Sequence, residues 1–142
     1  MHDFHCAWEP EIARTLDDPA FVQPRLKLHL LVDDLARLGA AQIEPGQLPR
    51  PSPLRLESTA GALGSMYVLE GSTLGGKLIA RQVAAAIGHI PSYHDAYGSR
   101  TGSMWHSFQA HLESEVSASQ ADTAIMAARA TFSWLGDCLT RD

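Results

Sequence analysis

The chain has 142 residues, 45% of them hydrophobic and 19% charged, and carries a formal net charge of −5. That length supports one hydrophobic core, read as a single helical domain over residues 1–142, and the acidic balance leaves no footprint for nucleic acid or an anionic membrane surface. No apolar run approaches a membrane span and the N-terminus lacks the pattern of a signal peptide, so a cytoplasmic protein is expected.

Periodicity is helical throughout, with no sustained alternation of two residues, which makes the class all-α. A first helix places Phe4, Trp8, Ile12 and Leu16 one turn apart and closes at Asp17-Asp18-Pro19. A second begins after Pro24 with a stripe of Leu28, Leu31, Leu35 and Leu38, carries Asp33 and Arg37 on its other side, and has Gly39 as its C-terminal stop. Residues 43–56 hold Pro45, Gly46, Pro49, Pro51 and Pro53 and read as an irregular connection over the surface.

The longest pattern starts near Ser58 or Thr59 and runs to about Gly88, where Pro91 prevents continuation. After the loop Ser92 to Arg100, a fourth helix aligns Trp105, Phe108, Leu112 and Val116. A fifth follows Ser117 to Gln120 and aligns Ala121, Ala124 or Ile125, Ala128, Phe132, Leu135 and Leu139. Cys6 and Cys138 show no metal-type spacing and read as two idle thiols, and no paired Glu-x-x-His motif suggests a di-iron site.

The long helix contains Gly61, Gly64, Gly71, Gly75 and Gly76, although each interior glycine costs about 0.8–1 kcal/mol relative to alanine. At about 100° per residue Gly61, Gly64, Gly71 and Gly75 share one narrow arc, with Val68 and Ser72 between them. A bare face of this kind serves either close approach of a neighbouring helix or a flat ligand laid against the backbone.

The run Tyr67-Val68-Leu69-Glu70-Gly71-Ser72-Thr73-Leu74-Gly75-Gly76 resembles the distal helix of bacterial heme oxygenases, particularly the branch that supplies biliverdin to bacterial phytochromes, in which a Gly-Ser-x-Leu-Gly-Gly stretch kinks over the heme face. The resemblance extends upstream through His5 to Glu11 and Arg25 to Leu35, and downstream through Gly102 to Phe108 and Ala127 to Phe132, covering nearly the whole chain. It implies a heme oxygenase-like fold of about five helices with a long, kinked third one. It also implies O2-dependent cleavage of heme to biliverdin, carbon monoxide and iron, with heme as both substrate and cofactor and an electron donor still to be identified.

By the same resemblance Gly71, Ser72, Gly75 and Gly76 match the distal wall, and Ser72 stands where some relatives place an aspartate that organises water. Arg129 is the candidate for a heme propionate, whereas Lys77 and Arg81 face water or pair with Glu70. Family members carry their proximal histidine in an earlier helix, and no residue here matches it, so the chain is read as truncated at its N-terminus. His5 and His29 are the residues considered as substitutes, and no metal ligand is assigned. Weak heme binding and no biliverdin are expected of the chain by itself.

Two function classes stay open: an oxygenase completed by that helix, and a shortened non-enzymatic protein that binds a tetrapyrrole or a protein partner. A homodimer is expected, because Phe4, Trp8, Ile12 and the leucines of the second helix would otherwise lack cover.

Overall fold

The computed structural model describes residues 1–40 and 51–140, and these form helices and no strands. The helices are α1 (His2–Leu16), the one-turn α2 (Pro19–Val22), α3 (Leu28–Arg37), α4 (Thr59–Ile87), α5 (Thr101–Glu115) and α6 (Ala121–Thr140). The five longer ones are those the periodicity marks, so the all-α class holds, and the long glycine-bearing helix is α4.

Local chemistry sets the boundaries. Asp17 takes a left-handed conformation (φ 48°) that ends α1. Asp18 then accepts a hydrogen bond from the Phe21 amide and starts α2, with Pro19 in the first turn where its missing N–H costs nothing. Ser58 caps α4 by accepting from the Gly61 amide at 3.0 Å. Gly88, at φ 81°, stops it where a side chain would be strained. The Ser117 amide donates to the Gln120 side chain ahead of α6.

The core gathers Phe4, Trp8 and Ile12 of α1 with Leu63, Met66 and Leu69 of α4 and Phe108 of α5. This corrects the expectation that the α1 aromatics lack cover: Phe4 and Ile12 are fully buried and Trp8 nearly so. Trp134 of α6 packs its ring 4.5 Å from that of Phe4. The Trp8 indole donates to Ser65 at 2.8 Å, and Ser65 bonds Thr131 at 2.6 Å. Thr131 donates onward to the Ala127 carbonyl, so the chain of donors runs from α1 through α4 into α6 with no proton to spare.

Three further expectations change. The connection after α3 is not wholly superficial, because Leu54 and Leu56 are buried in the core, and Thr15 anchors it by donating to the Leu56 carbonyl at 2.6 Å. The part of that connection at residues 43–50 lies outside the described residues. The leucine stripe of α3 is only half-buried, and Leu38 is 54% exposed.

The inward face of α6 is also rotated from the expected one. Ala124, Ala127, Thr131, Trp134 and Cys138 face inward, while Ile125, Phe132 and Leu139 are exposed. At Gly64 a Cβ would collide with the Ala124 carbonyl, so the two backbones touch there, and Thr131 faces α4 on the same side to bond Ser65.

Candidate functional site

The glycine arc of α4 divides in two. Its first half is packing, with Gly64 against the backbone of Ala124. Beyond it, a Cβ on Gly71 would meet only the edge of the Trp105 indole at 3.6 Å, and one on Gly75 would meet nothing within 4 Å. Ser72 and Gly75 are exposed, and so are the neighbouring Leu74, Leu78 and Ile79. The result is an open strip of bare helix backbone edged by apolar side chains.

Gly76 points elsewhere. It is buried, and a Cβ there would collide with the His94 carbonyl, so its bareness lets the loop after α4 lie against the helix. Of the four expected wall residues, Gly71, Ser72 and Gly75 therefore share the outward side, and Gly76 turns towards the loop. Arg129 is exposed on α6 and forms no ion pair among the described residues. The Ser72 hydroxyl donates to the Leu69 carbonyl at 2.7 Å and the Thr73 hydroxyl to the Glu70 carbonyl at 2.6 Å. Both side chains thus compete for carbonyls of their own helix, a pattern that bends helices.

Directly behind the strip is a buried charge cluster. Glu70 does not pair with Lys77 or Arg81 at the surface, as one reading of the sequence had it, because its side chain points into the core. It pairs with Arg25 and, at 2.8 Å, with Lys27, all three almost wholly buried. Tyr97 donates to the same carboxylate at 2.7 Å. Burial, with the Glu70 carboxylate beside it, pushes the Tyr97 hydroxyl well above its ordinary range, so it remains a donor. Lys27 also donates to the Arg25 carbonyl, and Arg25 reaches the Met104 carbonyl and Ser107 of α5. Phe21 and Phe108 flank the Arg25 guanidinium.

A second buried network fixes α1 to α3. His5 joins Glu9 through Nδ1 at 2.9 Å and Tyr93 through Nε2 at 3.0 Å. Glu9 also accepts from the amides of Lys27 and Leu28 at 2.7 and 2.8 Å, which caps the start of α3. Desolvation lowers the His5 pKa below its ordinary value despite the carboxylate beside it. Burial alone would raise Glu9, but the hydrogen bonds from His5 and the two amides outweigh it and hold Glu9 low. His5 is thus a neutral ring with both nitrogens committed, while His29 is exposed on α3.

Sequence reasoning missed Arg25, Lys27 and Glu9. A signal for the first two was present, since Glu70 falls in the sector of α4 occupied by Leu63 and Met66, and a carboxylate in a buried sector calls for cations.

No family model matches the chain, and neither does any solved structure. A heme oxygenase from Xanthomonas campestris pv. campestris (strain 8004) is 34% identical over 125 residues, an alignment that takes in 84% of this chain and 71% of that protein. At that identity and coverage, with an all-helical fold built around the glycine-bearing α4, the chain belongs to the heme oxygenase family.

Proposed function

We propose that the open strip of α4 at Gly71, Ser72 and Gly75 is the heme-facing wall of this family member, serving O2-dependent cleavage of heme to biliverdin, carbon monoxide and iron. The observation that carries the reading is Gly75, an exposed helix-interior glycine that no neighbouring group among the described residues requires. Bound heme supplies both the ring to be cleaved and the iron that activates dioxygen.

This chain's residues do the rest. Gly71 and Gly75 admit a flat ring to the backbone, and Leu74, Leu78 and Ile79 give its edge an apolar border. Ser72 spends its proton on Leu69 and keeps lone pairs that accept from a water at the wall. Arg129 is assigned to a propionate. The back-bonding of Ser72 and Thr73 supports a bend of α4 over this strip, and the Gly-Ser-Thr-Leu-Gly-Gly run favours the phytochrome-associated branch.

Because both nitrogens of His5 are committed, binding by the chain by itself is expected to be weak and without a histidine-type ferrous carbonyl spectrum. Imidazole added as an axial donor is expected to tighten it. Hemin titration followed by absorption tests the wall: Gly75→Phe should abolish the imidazole-assisted spectral change at unchanged melting temperature, and indifference to that substitution overturns the reading. The engaged His5 favours a second reading, tetrapyrrole binding without turnover. Biliverdin formed from hemin, reductant and oxygen in the presence of catalase, above a protein-free control, decides between the two.

A homodimer completes the proposal. Its support is the exposed stripe Ile125, Phe132 and Leu139, repeated every seven residues along α6.

A further inference from the structure

The bare strip of α4 is open at one end and bounded at the other. Tyr67, Gly71, Leu74, Gly75 and Leu78 fall within about 100° of one another around the helix, so one face carries both glycines and the apolar groups beside them. Along that face a Cβ on Gly75 would meet nothing within 4 Å, whereas one on Gly71 would meet the benzo edge of the Trp105 indole, Cη2 at 3.6 Å and Cζ3 at 3.8 Å. Those are ordinary van der Waals distances, so the indole ends the strip without requiring a glycine beneath it.

Trp105 is fixed in that place from two directions. Its ring stacks on that of Phe108, which is fully buried, with centroids 5.9 Å apart and planes 18° apart. Tyr67 stands beside it at 5.2 Å. Arg25 then ties together the backbones that carry the contact: it pairs with Glu70, the residue before Gly71, and donates to the carbonyl of Met104, the residue before Trp105. A buried polar network whose members are satisfied is rigid, so the charge cluster sets the register of α5 against the Gly71 end of the strip.

Core packing does not use up these two rings. Trp105 is partly exposed and Tyr67 is 44% exposed, so apolar ring surface remains at the edge of the bare backbone. Aromatic edges and faces of this kind are what another flat ring packs against.

We propose that Trp105, backed by Tyr67, sets where the heme ring lies along α4: its benzo edge is a stop at Gly71 that halts the rim of the porphyrin, so that the ring lies over Gly75 and extends towards Leu78. This rests on the wall assigned above and adds the position of the ring along it.

Zinc protoporphyrin with imidazole tests the stop, because the metal is diamagnetic and takes one axial donor, which leaves the other face of the ring for the wall. In NMR of the 142-residue chain the Gly75 amide should shift saturably, and the Trp105 Hη2 and Hζ3 protons should show cross-relaxation to protons on the porphyrin rim. Trp105→Ala should move those rim contacts to the Tyr67 ring and weaken binding about two- to tenfold, the loss of one aromatic contact. A saturable Gly75 shift without contact to Trp105 overturns the inference and leaves the wall standing. No shift at Gly75 overturns the wall and the inference with it. A Trp105→Ala chain in which no rim contact to Tyr67 appears shows that the indole touches the ring without stopping it, and also overturns the inference. If that variant fails to fold, the contacts of the wild-type chain decide.

Discussion

At the scale of single residues, the buried carboxylates carry more structural weight than their number suggests. Glu70 is the only acidic group joined to Arg25 and Lys27 among the described residues, and all three are at most 4% exposed. Glu70→Gln leaves two buried cations against a neutral amide, and a loss of about 3–5 kcal/mol in urea unfolding is expected. A much smaller loss would mean that water reaches the cluster. The His5–Glu9 pair gives a pH dependence of definite sign. The folded His5 pKa lies below 6.5, so between that value and pH 6.5 the unfolded chain binds more protons, and the contribution of His5, full above pH 6.5, is lost as pH falls. Glu9, held below 4.5, adds a loss of the same sign at lower pH, as its folded carboxylate becomes protonated. The melting temperature should therefore begin to fall as pH drops below 6.5, and His5→Gln should reduce that first limb to the part contributed by His94, whose pKa burial also lowers.

At the scale of elements, α4 uses its glycines for different purposes along its length, and paired substitutions separate them. Gly64→Ala forces α6 away from α4 at Ala124, an overpacking that costs about 1–3 kcal/mol. Gly75→Ala meets nothing and replaces a poor helix former with the best one, so it should stabilise the fold by about 0.8–1 kcal/mol. Under the proposed function the same change should weaken hemin binding. Thermal melts of the two variants, read beside hemin titrations, test both statements. Stabilisation by Gly64→Ala would show that α4 and α6 are less closely packed than the described contact requires.

At the scale of the whole molecule, the apolar face in need of cover is not the one expected from α1. Phe4, Trp8 and Ile12 fill the core, whereas α6 carries four large exposed apolar side chains, Ile125, Met126, Phe132 and Leu139. Antiparallel pairing of two copies about Phe132 would set Ile125 of one copy against Leu139 of the other. Sedimentation at micromolar concentration is expected to show a dimer, and Phe132→Asp, at a 71% exposed position, is expected to yield a folded monomer. A wild-type chain that sediments as a monomer would remove the case for self-association. No helix among the described residues is long and apolar enough to cross a membrane.

The sequence by itself determined the helical class, the long α4 and its ends, because these depend on local chemistry: periodicity, the Ser58 cap, and Gly88 where a left-handed turn is needed. It also marked the glycine arc, since spacing along one helix depends on nothing outside it. The tertiary structure alone decided which glycines meet another backbone and which stay open, because that depends on where α6 and the His89–His94 loop cross α4. The inward face of α6 was legible only approximately, because Thr131 faces α4 through a hydrogen bond to Ser65 and Phe132 stays exposed, a choice that hydrophobicity does not make. The partners of Glu70 and Glu9 lie far away in sequence, and a buried ion pair becomes visible only when folding brings both halves together.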